Sequence, residues 1–274
     1  MTETYLPLAV VTGGSRGIGR CLVEALLDDT AVLNLSRAPA PEPPGAPGHR
    51  LHNLSVDLAD VGKAATTLGG WLEANPGYRV TAFVSNAATT GLGWLNQESV
   101  MAAMERSFSV NVYAPLALTA TILNLDRFSR TEDGARVGYV VSSLGRAVPE
   151  LSFAGLGVYS MTKAALGRGA LVQAREFEIV APHVKVLRIH PGIVDTEIQR
   201  ELRGSAGIDP RFAVKTAGLP PYRDGEWRGC SPAERMRTIS PRFAADFVRW
   251  ALRHGTSSAE EYDFYHTEAF HSTR

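Results

Sequence analysis

Tyr159 and Lys163 lie four residues apart in a segment with a helical pattern, a spacing that places both side chains on one face of a helix. A tyrosine with its ordinary pKa of about 10 transfers protons poorly at neutral pH. A neighbouring ammonium stabilises the phenolate and lowers that pKa, and each unit of lowering corresponds to ~1.4 kcal/mol. The pair is therefore suited to exchanging a proton with the oxygen of a carbonyl or an alcohol.

A glycine-rich turn follows the apolar run Leu8–Val11 and opens a helical pattern. Glycines let the backbone turn tightly and approach a pyrophosphate closely, and the N–H groups at the start of the helix attract its negative charge. The position of the turn between a strand and a helix therefore predicts a dinucleotide site. Its residues are Gly13, Ser15, Arg16, Gly17, Ile18 and Gly19.

The residues after the second apolar run would lie at the adenosine end of such a dinucleotide. Ser36 and Arg37 stand there, at a position where an acid would bind the 2′-hydroxyl of NAD. A guanidinium instead matches the 2′-phosphate of NADP with its planar fork of donors, and Arg16 supplies a second one nearby. The sequence therefore predicts NADP(H) as the cofactor. Asp57 ends the third apolar run and either binds the adenine amino group or caps the following helix.

Short apolar runs alternate with longer helical patterns along the whole chain. The runs that predict strands lie at 8–11, 31–35, 52–56, 80–84, 136–141, 184–189 and 261–265, and helical patterns cover 17–27, 61–72, 97–125, 158–179 and 240–254. Continuous apolar strands separated by helices indicate a parallel sheet covered on both faces. We predict an α/β fold, a single doubly wound Rossmann-type domain over residues 1–274. Its seven-stranded, mostly parallel sheet should carry helices on both faces.

Two segments depart from this alternation. Residues 38–48 contain prolines at a density that excludes a helix, so we expect an extended loop there. Residues 196–239 lack a strong pattern and are rich in Gly, Pro and Arg. A loop-rich insertion of that length in a compact domain is usually functional, and we expect it to form a lid over the substrate.

The composition argues against several other classes of protein. With 28 basic and 28 acidic residues the chain has no formal net charge, which argues against a nucleic acid or an anionic membrane as partner. No apolar run approaches the ~20 residues that span a bilayer, and residues 1–7 do not resemble a signal peptide. Two cysteines do not make a disulfide framework, which fits the cytoplasm. The seven histidines have no metal-binding spacing, so we expect no metal.

Together, in this order, the motifs resemble the short-chain dehydrogenase/reductase family over roughly residues 7–200. The matching segments are Thr12–Gly19, Asp57-Leu58, Asn86-Ala87-Ala88, Asn111, Ser142-Ser143, Tyr159 with Lys163, and Pro191-Gly192. The resemblance implies hydride transfer between a nicotinamide and a small-molecule ketone or alcohol. It also implies a homodimer or homotetramer formed through the helices at 97–125 and 158–179.

The resemblance also implies a catalytic set. Asn111 would join a proton relay to solvent, and a serine hydroxyl would position the carbonyl oxygen. An insertion within Leu151–Gly157 leaves both Ser142 and Ser143 as candidates for that serine, and we favour Ser143. The expected catalytic residues are therefore Asn111, Ser143, Tyr159 and Lys163.

Further cofactor contacts follow from the same resemblance. Lys163 would hold the nicotinamide ribose, and Asn86 would stabilise the sheet near the cofactor. Pro191-Gly192 and Thr196 would flank the nicotinamide and its phosphates. The whole expected cofactor site comprises Gly13, Ser15, Arg16, Gly17, Ile18, Gly19, Ser36, Arg37, Asp57, Leu58, Asn86, Ala87, Tyr159, Lys163, Pro191, Gly192, Val194 and Thr196.

Within the family, the C-terminal segment Tyr262-Asp263-Phe264-Tyr265 is similar to that of sepiapterin reductases and related bacterial benzil reductases. In sepiapterin reductases the aspartate of this segment anchors the amino-pyrimidine of the pterin. The resemblance therefore implies that Asp263 binds substrate together with Ser143 and Tyr159. A solvent-facing position on an edge strand is the alternative, since strand alternation permits either.

These features favour an NADPH-dependent carbonyl reductase that transfers hydride to a ketone or diketone. A ketoreductase of a biosynthetic pathway, acting on another ketone, is the first alternative. A non-catalytic NADP-binding sensor is the second, and the intact set of Asn111, Ser143, Tyr159 and Lys163 argues against it.

Overall fold

The computed structural model describes residues 5–43, 50–223, 230–231, 234–256 and 260–272. The strands are β1 Leu6–Thr12, β2 Ala31–Ser36, β3 Leu51–Ser55, β4 Tyr78–Ser85, β5 Ala135–Val140, β6 Val184–His190, β7 Ile193–Val194, β8 Thr238–Ile239 and β9 Glu261–Asp263. The α-helices are α1 Gly17–Leu26, α2 Val61–Ala74, α3 Val100–Phe108, α4 Ala114–Asn124, α5 Gly157–Val180, α6 Glu197–Gly204, α7 Pro210–Ala217, α8 Pro241–His254 and α9 Glu268–Ser272.

Seven strands form one parallel sheet in the order β3-β2-β1-β4-β5-β6-β9. The central strands are apolar because helices cover them on both sides, and β2 is buried along its whole length. The chain runs outward from β1 to β3 and then returns to place β4 on the other side of β1. Such a reversal leaves a crevice at the carboxyl ends of β1 and β4, which is where doubly wound sheets bind ligands. The predicted fold class is confirmed.

Two apolar layers sandwich the sheet. On one face α2, α4 and α5 pack on the strands through residues such as Leu68, Leu118 and Leu166. On the other face α1 and α8 do so through residues such as Leu22 and Phe247. The two layers hold the strand ends in register, and the site described below is built on those ends.

The helix predicted over 97–125 is interrupted. Between α3 and α4 the segment Ser109–Tyr113 forms a π-helical turn, and the Ala114 N–H donates to the carbonyl of Ser109. Pro115 lies at the start of α4 and has no N–H to offer the carbonyl of Asn111 four residues earlier. The widened turn accommodates that missing donor and determines where Asn111 stands.

The segment 196–239 is more ordered than its composition suggested. It contains α6 and α7, and its return strand β8 pairs with β7. The expectation of a loop-rich segment is therefore wrong for these parts, whereas 224–229 and 232–233 lie outside the described residues. The proline-rich stretch has no helix or strand over 38–43, and 44–49 lie outside the described residues.

Neither a membrane helix nor a metal cluster occurs in the part of the chain that the structure describes. No helix there has both the length and the apolar character needed to cross a bilayer. No three or more His, Cys, Asp or Glu side chains in that part are grouped to hold a metal ion.

Phe247 tests the α8 layer, since it is fully buried against Phe264 and Phe270. We expect Phe247→Ala to lower the free energy of unfolding by about 3–5 kcal/mol, because the neighbouring rings fill the space only partly. Val214→Ala, at a position that is 78% exposed, should change it by less than about 0.5 kcal/mol. Urea unfolding measures both variants. A loss below about 1 kcal/mol for Phe247→Ala would contradict this packing.

Candidate active site

A cavity of about 1240 Å³ opens at the carboxyl ends of the central strands. Small-molecule pockets usually measure ~300–1,000 Å³, so this volume suits an extended dinucleotide with a second molecule beside it. The cavity brings together most of the residues that the sequence singled out. Those that line it are Gly13, Ser15, Arg16, Gly17, Ile18, Ser36, Arg37, Asp57, Leu58, Asn86, Ala87, Tyr159, Lys163, Pro191, Gly192, Val194 and Thr196.

The glycine turn has the geometry of a phosphate cradle. Gly13 and Gly17 have φ of 72° and 56°, values that favour glycine. A Cβ atom on Gly19 would overlap the carbonyl oxygen of Gly13, so α1 can approach the turn only with glycine at that position. No side chain caps the start of α1, so its first N–H groups are available to a ligand in the cavity, whose wall includes Gly17 and Ile18. These features fit a pyrophosphate.

Asn86, the residue directly after β4, holds the turn in place. Its amide nitrogen donates to the carbonyl oxygens of Thr12 and Gly13 at 3.1 Å and 3.2 Å. The expectation that Asn86 stabilises the sheet beside the cofactor site agrees with these contacts. Gly19 is not itself part of the cavity wall among the described residues, and it acts through the close approach of α1.

Guanidinium groups line the part of the cavity near the glycine turn and the end of β2. Arg37 is exposed to the cavity, and Arg16 forms an ion pair with Glu197 at the start of α6. Ser36 is buried, and its hydroxyl donates to the carbonyl of Ala38. Ser36 therefore shapes the strand end, while the two arginines supply positive charge.

Asp57 also lies in this part of the cavity, and it does not cap α2. Its carboxylate accepts from the Ala59 N–H at 3.0 Å and pairs with Arg106, whereas Asp60 caps α2. The Ala59 N–H, followed by Arg106, lowers the pKa of Asp57. The helix-cap alternative for Asp57 is therefore wrong. The Asp57 carboxylate lies in the cavity wall, and its lowered pKa favours the ionised form.

Tyr159 stands at the opposite end, where it contacts the Ser142 hydroxyl. Burial raises the pKa of Tyr159 to about 12, and the hydrogen bond with Ser142 opposes that rise. The phenol therefore keeps its proton at neutral pH and has it available to donate.

The preference for Ser143 is corrected by this geometry. Ser142 lies in the cavity wall with an extended backbone, φ −142° and ψ 144°, so its side chain continues the alternation of β5 toward the cavity. Ser143 begins a short 3₁₀ turn and is absent from the cavity wall in the described part of the chain. Ser142 is the serine that the structure brings to Tyr159.

Lys163 is buried beside Ser142 and Tyr159, and only 4% of the residue is exposed. Its Nζ donates to the carbonyl of Val140 at 2.9 Å and lies 5.8 Å from the centroid of the Tyr159 ring. Burial lowers the pKa of Lys163 to about 8. The expected lowering of the tyrosine pKa by this ammonium is not found. Burial is the largest influence on both groups, and it raises the pKa of the phenol while it lowers the pKa of the ammonium.

Asn111 connects the loop after β4 to α5. Its amide nitrogen donates to the Thr89 carbonyl at 2.8 Å and to the Thr162 hydroxyl at 2.9 Å, and its oxygen accepts from the Thr89 N–H at 2.9 Å. Among the described residues it does not line the cavity. The structure thus gives Asn111 a bracing position, and its place in a proton relay stays a prediction.

Asp263 is not in the cavity wall, contrary to the expectation that it binds substrate. Its carboxylate contacts Arg146 at 2.9 Å, His266 at 3.1 Å and the Tyr265 N–H at 2.9 Å. Burial opposes ionisation of this group, but His190 and these donors together lower the pKa of Asp263. The solvent-facing alternative fails too, because the residue is 6% exposed.

An apolar cluster that the sequence did not predict packs against Tyr159. Leu144, Leu156, Leu202, Ile208 and Phe212 form its buried part, and Leu92, Phe153 and Ile198 complete it. The members from α6 and α7 place the 196–239 segment beside Tyr159. Helical spacing of Ile198 and Leu202 was the available signal, but the flanking Gly and Pro residues obscured it.

Two more cavity residues, Thr89 and Gln199, were also missed. Thr89 comes from the loop after β4, and Gln199 from α6, where its Oε1 is buried without a hydrogen-bond partner in the described structure. Neither residue belongs to a motif that sequence alone could single out.

Comparison with known proteins agrees with this geometry. The model of the short chain dehydrogenase family matches residues 7–206. Rat sepiapterin reductase is 30% identical over 252 residues, which cover 86% of this chain and 91% of that protein. A benzil reductase of Bacillus cereus that forms (S)-benzoin is 26% identical over 221 residues, 76% of this chain and 86% of that protein.

A solved structure shares the fold. The short chain dehydrogenase from Burkholderia cenocepacia, determined in complex with NADP, superimposes with a TM-score of 0.70. The two chains are 21% identical, and the match covers 96% of this chain and 97% of that one.

The neighbouring serines provide a matched pair of variants. We expect Ser142→Ala to slow the ketone reduction predicted from the sequence by roughly 10²–10³-fold, the usual cost of losing a hydrogen-bond donor to a developing oxyanion. Ser143→Ala should leave the rate nearly unchanged, because Ser143 does not line the cavity and Tyr159 contacts Ser142. Steady-state rates of both variants measure this difference. The reverse order would restore Ser143 as the catalytic serine.

Proposed function

Because the chain belongs to the short-chain dehydrogenase family, we propose that it is an NADPH-dependent carbonyl reductase acting on a ketone or diketone. The observation that carries the proposal is the contact between Ser142 and Tyr159 beside the buried Lys163. This group shares one cavity with the glycine turn. An acid, an orienting hydroxyl and a dinucleotide cradle in one cavity support carbonyl reduction better than binding alone.

NADPH, when bound, supplies the hydride that reduces the carbonyl carbon. In our proposal the Ser142 hydroxyl donates to the carbonyl oxygen and orients it. Tyr159, which is neutral at physiological pH, gives its proton to the same oxygen, so the product is an alcohol. The Lys163 ammonium holds the ribose hydroxyls, and Asn111 keeps the neighbouring backbone in place.

The charges at the adenosine end support NADPH over NADH. No acid follows β2, and Arg37 stands there exposed to the cavity. Arg16 is the second guanidinium, although Glu197 competes for it across the cavity. We therefore assign the larger share of phosphate recognition to Arg37.

The apolar cluster around Tyr159 supports an uncharged substrate with an apolar or aromatic body. Among the described residues, Tyr159 and Ile198 are the positions at which this cluster reaches the cavity wall. Asp263 is enclosed by protein donors, so the pterin anchor that the sequence suggested has no support from its position. The proposed ketone is accordingly closer to benzil than to a pterin.

We further propose one domain over residues 1–274, with 196–239 as its lid, working in the cytoplasm as a homodimer or homotetramer. Exposed apolar residues on the helices named in the sequence analysis support association. Tyr113 is 53% exposed, Val172 44% and Ile179 82%. Such residues are costly to leave in water when they lie on one surface.

Cofactor preference tests the adenosine end. Two charge-assisted contacts of ~1.5–3 kcal/mol each would favour NADPH over NADH by at least roughly tenfold. We expect Arg37→Asp to shift the preference toward NADH, because a carboxylate repels the 2′-phosphate and binds the 2′-hydroxyl. Steady-state kinetics with both cofactors and an aromatic diketone measure it. Equal or better use of NADH by the wild type would refute this part of the proposal.

Tyr159→Phe tests the proposed acid. The ring stays and the proton is lost, so we expect turnover to fall ~10²–10⁴-fold while NADPH binds nearly as before. Tyr78→Phe is the control and should keep full activity, because Tyr78 begins β4 and does not line the cavity. Turnover and NADPH fluorescence titration separate the two effects. A Tyr159→Phe variant with more than half of wild-type activity would place the acid elsewhere.

A further inference from the structure

The segment Glu261–Tyr265, here called the C-terminal brace, contacts two loops of the proposed site, the one after Ser142 and the one after His190. Its strand β9 pairs in parallel with β6, in a register that sets Asp263 opposite His190. The Phe264 N–H then donates to the His190 carbonyl at 2.9 Å. The brace is thereby attached to the strand that leads directly into the turn at Pro191 and Gly192.

Tyr265 connects that turn to the end of the lid. Its hydroxyl accepts from the Ile193 N–H at 2.8 Å and donates to the Arg237 carbonyl at 2.7 Å. The side chain is buried, and a Cβ atom on Gly192 would lie 3.1 Å from the same hydroxyl. One phenol thus fixes both the cavity-lining turn and the residue just before β8.

Asp263 connects the brace to the turn that carries Ser142. Arg146 ends the short 3₁₀ turn after Ser142, and its guanidinium contacts Asp263 at 2.9 Å and Glu261 at 2.5 Å. Glu261 also pairs with Arg188 of β6 at 2.8 Å. The position of Ser142 is therefore tied to the same short strand as the Gly192 turn.

Neither Asp263 nor Tyr265 lines the cavity in the described structure, so any effect on reactivity must pass through the groups that they hold. We propose that Tyr265 and Asp263 are positioning residues, which set the separation between Ser142 and the turn at Pro191-Gly192. The inference rests on the proposed function, in which Ser142 orients the ketone and the Gly192 turn flanks the nicotinamide. It assigns the C-terminal brace to alignment of the two reactants instead of to substrate recognition.

Tyr265→Phe tests the positioning role of Tyr265, and Tyr139→Phe is its matched control. Tyr139 is also a buried tyrosine with two hydrogen bonds, to Thr119 and Gln173, and it does not line the cavity. Each change deletes one buried hydroxyl and leaves two polar groups without it. Both variants should therefore lose similar thermal stability.

Only Tyr265→Phe should bind NADPH more weakly, by about tenfold, because the freed Ile193 N–H and Arg237 carbonyl loosen the turn. Fluorescence titration of NADPH measures this without turnover. Unchanged affinity in Tyr265→Phe, or an equal loss in Tyr139→Phe, would overturn the inference. A wild type that binds NADPH but reduces no ketone would instead refute the proposed function, and the binding comparison would still be decisive for Tyr265.

Asp263→Asn tests the positioning role of Asp263 with two ketones, benzil and a pterin ketone. A positioning role predicts that kcat falls by a similar factor for both, with little change in KM, because the Ser142 turn is displaced whatever the substrate. A loss confined to the pterin ketone would overturn the inference and restore Asp263 as a substrate anchor.

Arg146 gives the same test from a partly exposed side chain, in case Asp263→Asn does not fold. Arg146→Gln should reproduce the loss of kcat for both ketones, and Arg146→Lys should recover part of it by keeping the charge. Wild-type kcat in Arg146→Gln would contradict the link between the brace and Ser142.

Discussion

The burial of the Lys163 ammonium is the constraint on which the rest of the site depends. An ammonium removed from water is costly unless it is hydrogen-bonded, and here the Val140 carbonyl at the end of β5 accepts from it at 2.9 Å. That bond requires α5 to present Lys163 to the sheet edge and Tyr159 one turn earlier on the same face. It also leaves the ammonium in the cavity wall, with further donors available to a bound molecule.

Burial also sets the protonation states of the pair, in opposite directions. The pKa of Tyr159 rises to about 12, so the folded protein keeps the phenol protonated. The stability that this contributes is present below pH ~10, and it is lost as the pH rises through about 12. The pKa of Lys163 falls to about 8, so its burial costs stability at neutral pH, and that cost disappears as the pH rises from about 8 toward its ordinary value. A protonated acid beside a weakened base suits reduction of a carbonyl.

Most of the fold and of the candidate cofactor site could be predicted from the spacing of residues that are close in sequence. The alternation of apolar runs, the glycine turn and the pair Tyr159 and Lys163 are readable because each depends on residues near in sequence. The choice between Ser142 and Ser143 depends on how β5 ends, which the pattern does not specify. Asp263 was misassigned because its partner Arg146 is 117 residues away. The π turn at Asn111 did have a local signal, since Pro115 removes the donor that its carbonyl would have used.

The affinity for NADPH as a function of pH tests the central claim, that a buried Lys163 ammonium organises the site and holds the dinucleotide. Because the pKa of Lys163 in the free protein is about 8, the dissociation constant should rise roughly tenfold per pH unit above that value as the ammonium is lost. Lys163→Met should bind more weakly and without this dependence. A wild-type dissociation constant that stays flat from about pH 7 to about pH 10 would contradict the account.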